Sequence, residues 1–332
     1  MISEDAGSTA HTVRGYRGSG HRGEPVDRRP GAADRLPTPR RPESGRERAL
    51  AGAWLFGWEA LRRLPEPWAF GIGEAAGRLA HRVAGARRAV VAANLRPVVG
   101  DQALPARVRA AFSSYARYWI EAFRAADISP AQMDARTTTD GFAHLDGVLE
   151  EGNGAIVLLA HHGSWDLAAR WAETHGYHLA VVAEIIRPRR VFRRFVELRE
   201  ALGLEVVPLR RGEDLTRRLG EVLSANHLVG LLTDRDLSGR APLVTLFGRS
   251  ARLPTGAARL AARHGAPIVP ISLVQRPGRR WHLQVLAPIR PQGRELRELH
   301  DEVARALERL IRLAPEQWHA FMPIWTDAAK PV

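Results

Sequence analysis

From residue 154 onward, strand-like apolar runs alternate with amphipathic helical segments, which predicts an α/β fold: a single domain with a largely parallel central sheet flanked by helices. Two further observations complete the prediction. Helical periodicity from Arg48 to about residue 125 predicts a helical N-terminal region packed on that sheet, and a Gly-, Pro- and Arg-rich stretch before it predicts a disordered N-terminal tail. The boundaries are then 1–46 for the tail, 47–326 for the folded domain and 327–332 for a short C-terminal tail.

In the tail, Leu36 is the only Leu, Ile or Phe after Ile2, too little apolar surface to offset chain entropy. Its nine arginines against six acids suit weak contact with an anionic surface. Beyond it, Leu50, Trp54, Leu55, Trp58, Leu61 and Leu64 recur at three- and four-residue steps before Pro65, a helical pattern. Trp54 and Trp58 have two readings. They face the core, or they lie at lipid headgroup level as membrane contacts while Arg62 and Arg63 meet phosphates. Helices are expected at about 71–94 and 105–125, the second carrying Tyr115, Tyr118, Trp119 and Phe123.

Strands are predicted at 155–160, 178–183, 205–209, 228–233, 268–274 and 281–286, with helices at about 165–175, 189–202, 214–225, 254–264 and 295–313. Gly176, Gly203 and Gly265 follow three of these helices, where a left-handed residue is expected.

A chain of 332 residues and 45% apolar composition can build a sizeable core. The net charge of +13 is almost wholly arginine, since Lys330 is the only lysine. That bias reflects either a GC-rich genome or an anionic partner: nucleic acid, a phospholipid surface or a phosphate-bearing substrate. The absence of cysteine excludes disulfides, thiolate zinc sites and a cysteinyl acyl-enzyme. There is no apolar run of about 18 residues and no signal-like segment near the start, so the protein is expected on the cytoplasmic side of a membrane.

The most informative segment runs from Ala155 to Asp166, where an apolar run delivers His161 to a turn and a carboxylate follows five residues on. On a continuous helix the two side chains would stand about 140° apart and could not meet. Gly163 in the turn and Ser164 as N-cap break that geometry and let Asp166 approach His161. Asp234-Arg235-Asp236 follows the strand at 228–233 in the same way, so parallel strands would bring both groups to one sheet edge. A carboxylate on one imidazole nitrogen raises the basicity of the other, which makes His161 a general base for a hydroxyl nucleophile. Backbone amides near Gly163 and Ser164 would face the developing oxyanion.

Singly, each residue also has an ordinary reading: Asp166 as a helix-dipole carboxylate, His161 as a loop imidazole and His162 as its solvated neighbour. A serine hydrolase is disfavoured because His162 stands where a G-x-S-x-G elbow needs glycine, and no P-loop or dinucleotide fingerprint occurs. His161, His162, Asp166, Asp234 and Asp236 lack a familiar metal-ligand spacing, so no metal is expected. Arg187, Arg189, Arg190, Arg193, Arg194, Arg199, Arg210 and Arg211 form either a solvated face or a phosphate-recognition cluster. Without a recognition module or stacking platform, nucleic acid is not expected.

The ordered set of Asn94-Leu95-Arg96, His161 to Asp166, Phe195 to Gly203, Asp234 to Leu237, Phe247-Gly248 and Pro254 to Ala258 resembles the bacterial lipid A late acyltransferase superfamily. Within it, the chain is similar to the phosphatidylinositol mannoside acyltransferases of actinobacteria, over about 48–326. The resemblance implies transfer of a long acyl group, commonly palmitoyl, from acyl-CoA to a mannose hydroxyl of an anionic glycophospholipid. It also implies peripheral attachment to the cytoplasmic face of the plasma membrane, with acyl-CoA as co-substrate and no cofactor. His161 would be the base and Asp166 the acid of its motif. Family members often carry Glu, as the relay partner of the histidine, where Asp234 stands, which leaves open whether Asp166 or Asp234 orients His161. Glu184 and Arg199 match positions around the acceptor head, and Arg235 and Asp236 are assigned to substrate binding beside them. Ser164 replaces the usual Asn, and the long tail is atypical. Other lipid acceptors, hydrolysis of acyl-CoA, and noncatalytic membrane binding are the competing readings.

Overall fold

A computed structural model describes residues 43–209, 214–236 and 238–326. The tail residues 1–42, the segment 327–332, and Arg210, Arg211 and Leu237 lie outside the described residues. Three helices come first: α1 (Gly45–Arg63), α2 (Glu66–Val83) and α3 (Gly85–Arg124). Ser44 accepts a hydrogen bond from the Glu47 amide while Glu47 returns one to the Ser44 amide, so a capping box starts α1 just inside the predicted tail. The helix expected at 71–94 is two helices. Pro65 opens α2 five residues earlier than expected, and the non-helical Ala84 ends it. In α3, Gly100 breaks the helical backbone with φ 70° and joins two helical stretches, the second of which contains the predicted 105–125 helix.

The α/β part follows as α4 (Pro130–Arg136), β1 (Thr137–Asp140), α5 (Ala143–Glu150), β2 (Ala155–Leu159), α6 (Trp165–Thr174), β3 (Leu179–Ala183), α7 (Arg189–Ala201), β4 (Glu205–Pro208), α8 (Leu215–Ser224), β5 (Leu228–Leu232), β6 (Leu243–Leu246), β7 (Arg249–Arg252), α9 (Gly256–His264), β8 (Ile268–Arg276), β9 (Arg280–Val285) and α10 (Leu296–Arg312). The seven-stranded sheet has the order β1-β9-β8-β2-β5-β3-β4. From β8 to β4 the strands are parallel, and β9 pairs antiparallel with β8. All six predicted strands are present, and Gly176, Gly203 and Gly265 have positive φ as expected.

β2 is buried along its whole length because helices cover both faces of the sheet. Ile156 and Leu158 meet a core that includes α8, α9 and α10. Ala155, Val157 and Leu159 on the opposite face meet α1, α5, α6 and α7. This arrangement leaves the C-terminal ends of the parallel strands as the place where loops and ligands meet.

Candidate active site

The site begins where β2 and β5 end side by side. Their parallel register pairs Leu159 with Leu232, and the Thr233 amide extends the ladder by donating to the Leu159 carbonyl at 3.0 Å. Two residues further along each chain, His161 Nδ1 lies 2.6 Å from Asp234 Oδ1. Convergence at one sheet edge therefore occurs as expected. The other Asp234 oxygen accepts the Trp318 indole N–H at 2.9 Å, and the carboxylate is 1% exposed. Burial pushes this carboxyl up, but the charge and hydrogen bond of His161, together with Trp318 and Arg235, outweigh it and hold Asp234 well below the usual range. An ionised Asp234 takes the proton on Nδ1, which leaves Nε2 as the basic nitrogen.

Asp166 is hydrogen-bonded to side chains other than His161. Its Oδ2 accepts the Tyr118 hydroxyl at 2.7 Å, and its Oδ1 accepts Arg199 Nε at 3.1 Å. The carboxylate hydrogen-bonded to His161 is Asp234, while α6 carries Asp166 toward α3 and α7. Burial disfavours the charged Arg199, yet the neighbouring Asp166 charge prevails and raises its pKa. Burial and the Asp166 charge keep the Tyr118 phenol protonated.

The turn itself is stitched to the fold. Gly163 has φ 64°, and a Cβ there would fall 2.1 Å from the Leu273 carbonyl oxygen, so only glycine fits. The Gly163 and Ser164 amides donate to the carbonyls of Gln317 and Leu273 at 3.0 and 2.8 Å. Both expected oxyanion donors are thus already committed. Ser164 occupies the N-cap position of α6, but its hydroxyl donates to buried Glu121 rather than capping the helix. His162 is no solvated neighbour. It is buried, with Nδ1 at 2.7 Å from Ser272 Oγ and Nε2 at 2.9 Å from the Ala314 carbonyl, and burial lowers its pKa to about 4.

Four polar residues that the sequence reading passed over stand behind this turn. Glu121 also accepts Arg117 Nε at 2.7 Å, Trp281 Nε1 at 2.9 Å and Gln275 Nε2 at 3.2 Å. That last contact orients the Gln275 amide, so its oxygen faces Ser114 and receives the Ser114 hydroxyl proton at 3.0 Å. Ser114 must then accept from His319 at 3.0 Å, which puts the ring proton on Nε2. His319 Nδ1 is left as a buried acceptor with no hydrogen-bond partner among the described residues. Burial, then the charges of His162 and His161, hold His319 well below the usual histidine range and keep it neutral. No local pattern flags this chain of contacts, since its members come from α3, β8 and the segment after α10.

An open cavity of about 310 Å³ lies over His161. Glu184, Arg199, Arg235 and His319 line it with Tyr115, Tyr118 and Trp165. Asp236 serves the loop instead: its carboxylate accepts the Ser238 amide and hydroxyl at 2.8 and 2.6 Å and the Ala241 amide at 2.9 Å. A second cavity, of about 80 Å³ and mainly apolar, lies between the sheet and α6. Trp165, Val182, Arg199 and Leu232 line both cavities, so the polar mouth and the apolar channel adjoin across these four side chains. Within the arginine cluster, Arg187 engages Glu47 at 3.1 Å and Arg194 lies 5.3 Å over the Trp58 ring. Among the described residues no group of three or more His, Asp or Glu is placed to hold a metal ion.

Trp54 and Trp58 are not a lipid-facing pair. Trp58 is 2% exposed and donates its N–H to the Phe123 carbonyl, while part-buried Trp54 packs against Trp58, Trp119, Phe123 and Phe195. The exposed apolar face belongs to α2, where Trp68, Ile72, Leu79 and Val83 share one side of the helix. The opposite side presents Gly73 and Gly77 so closely to α3 that a Cβ at Gly77 would lie 2.8 Å from the Phe112 carbonyl.

The chain is 34% identical over 278 residues to the phosphatidylinositol mannoside acyltransferase of Mycolicibacterium smegmatis, covering 82% of this chain and 90% of that protein. It is 33% identical over 298 residues to the protein of the same name from Mycobacterium tuberculosis, covering 87% and 93%. Among solved structures, a 1-acyl-sn-glycerophosphate acyltransferase from Thermotoga maritima aligns with 66% of this chain and 91% of that one, at 14% identity and a TM-score of 0.35, a likeness too slight to weigh. The model of bacterial lipid A biosynthesis acyltransferases matches residues 45–327, nearly the whole described chain, and the protein belongs to that family.

Proposed function

We propose that this acyltransferase moves a long acyl group, with palmitoyl the expected chain, from acyl-CoA to a mannose hydroxyl of a phosphatidylinositol mannoside. The observation that carries the reading is the position of the His161–Asp234 pair, with His161 lining a polar mouth that adjoins an apolar channel. The names of the mycobacterial relatives support the acceptor class.

His161 Nε2 removes the proton of the sugar hydroxyl as its oxygen attacks the thioester carbonyl. The resulting imidazolium is stabilised by ionised Asp234 across the 2.6 Å contact. Collapse of the tetrahedral adduct breaks the carbon–sulfur bond, and the proton held on His161 passes to the departing thiolate. Arg235 and Glu184 at the mouth offer a cation and an acceptor to a phosphate- and hydroxyl-bearing head group, while the channel takes the acyl chain.

No helix among the described residues is long and apolar enough to cross a membrane. We assign contact with the cytoplasmic face of the plasma membrane to the exposed face of α2, where Trp68 suits the headgroup region and Ile72, Leu79 and Val83 the acyl boundary.

Palmitoyl-CoA incubated with and without mannosylated phosphatidylinositol tests the reaction. Thiol release that depends on the acceptor, with label appearing in the lipid, is the expected result. Equal release with and without acceptor would make the protein a hydrolase, and no release by the wild type but membrane binding intact would make it a noncatalytic binder.

A further inference from the structure

The apolar channel exists because side chains are missing from both its walls. Along β5, Leu232, Gly230 and Leu228 point to one face of the sheet, and all three line the channel. Parallel register places Val157 and Val181 beside Gly230, and Leu179 beside Leu228. On the facing wall α6 presents Ala168, Ala169 and Ala172 at helical spacing. Leu232 also lines the cavity that contains His161, so its row marks the mouth and the Leu228–Leu179 row lies deeper.

The glycine of the middle row has no backbone reason to be there. Gly230 sits in a regular strand, and a Cβ would lie 3.3 Å from Leu179 Cδ1 and from Val181 Cγ1, both side-chain ends, and 3.7 Å from the Ala180 carbonyl oxygen. Strand-interior glycine is destabilising relative to alanine. Such a position marks a close approach by something else.

We infer that Gly230 is the residue that lets a long acyl chain pass, and that Leu228 and Leu179 form the stop against which it ends. The inference rests on the acyl-transfer reading above and names the chain-length determinant of the same site. Strand rise is ~3.3 Å per residue, so the backbones of the Gly230 and Leu228 rows are ~7 Å apart, and the Leu179 side chain spans part of that interval by reaching to 3.3 Å from a Cβ at Gly230. An extended chain advances about 1.2 Å per bond, judged from three backbone bonds in each 3.3–3.6 Å residue, so the whole backbone interval corresponds to at most about five or six carbons.

The test measures acyl transfer to mannosylated phosphatidylinositol with saturated acyl-CoAs from octanoyl to stearoyl. Gly230→Val is expected to move the preferred donor to shorter chains, by at most about five carbons, while short donors are used as in the wild type. Leu228→Ala is expected to move it the other way. Should Gly230→Val fail to fold by thermal melting, Gly230→Ala takes its place, with a smaller shift in the same direction. An unchanged chain-length profile, or an equal loss with every donor in a folded variant, overturns the inference. Absence of transfer by the wild type with every donor would instead remove the acyl-transfer reading itself.

Discussion

Asp234→Asn is the substitution in which the geometry makes the sharpest demand. The Asp234 carboxylate has two occupied oxygens, one facing His161 Nδ1 and the other accepting the Trp318 indole N–H. An asparagine here must keep its single oxygen on Trp318, because that indole nitrogen can only donate. The amide NH2 is then turned toward His161 and donates to Nδ1. This forces the imidazole proton onto Nε2 and abolishes the base without altering the shape of the site. General-base catalysis contributes ~10²–10⁴-fold, or about 3–5 kcal/mol of activation free energy, and the loss in kcat should fall in that range. The assay is kcat and KM for acceptor and acyl-CoA, with 15N NMR of His161 reporting the tautomer. Adding Trp318→Phe frees the asparagine to rotate its oxygen onto Nδ1–H and should recover part of the loss. Turnover within about threefold of wild type for Asp234→Asn, with the proton still on Nδ1, would refute the assignment of Asp234 as the orienting acid.

The remaining predictions concern stability and membrane contact. Arg199→Ala strips buried Asp166 of its cation and leaves only the Tyr118 hydrogen bond, so unfolding free energy should drop by about 3 kcal/mol in urea titration. An unchanged midpoint would contradict the pairing. Burial holds His162 at about 4 in the folded state against about 6.5 when unfolded. Its contribution is therefore present above the unfolded value and lost as pH falls toward 4, about 3 kcal/mol in all, so the melting temperature should fall across that interval and fall less steeply in His162→Gln. Trp68→Glu with Leu79→Glu should abolish flotation with anionic liposomes while leaving the fold intact, since both residues are exposed. Trp58→Ala should do the reverse, costing about 3–5 kcal/mol of stability with liposome binding retained by the folded fraction.

The central sheet was legible because five of its seven strands are parallel and covered on both faces, which writes them as apolar runs. The strands that escaped notice lack that signature. β1 is Thr-Thr-Thr-Asp at the sheet edge, and β6 and β7 form a half-exposed hairpin turning at Phe247 and Gly248, both with positive φ. His161 and Asp234 could be brought together on paper since both directly follow strands that turned out to be parallel neighbours. The partners of Asp166 could not, because Tyr118 and Arg199 arrive on α3 and α7, and helix packing is not encoded in local spacing. Aromatic spacing equally could not say which face of α1 was wet. Trp58 and Trp54 face α3 and α7, and the lipid-like stripe lies one helix later.

The displacement of Asp166 from the base gives the His161–Asp166 segment a broader task than holding a catalytic pair. Its histidine is positioned by the end of β2, its glycine by contact with β8, and its aspartate by side chains from α3 and α7. Tyr118 and Arg199, the two groups that hold Asp166, also line the mouth over His161, and Arg199 continues into the apolar channel along α6. A shift of α6 would therefore move the channel wall and the mouth together while the His161–Asp234 pair, carried by the sheet, stayed in place. Under the proposed mechanism the strands hold His161 and Asp234 while helices shape the cavities, so changes in the helices are expected to alter substrate fit without moving that pair.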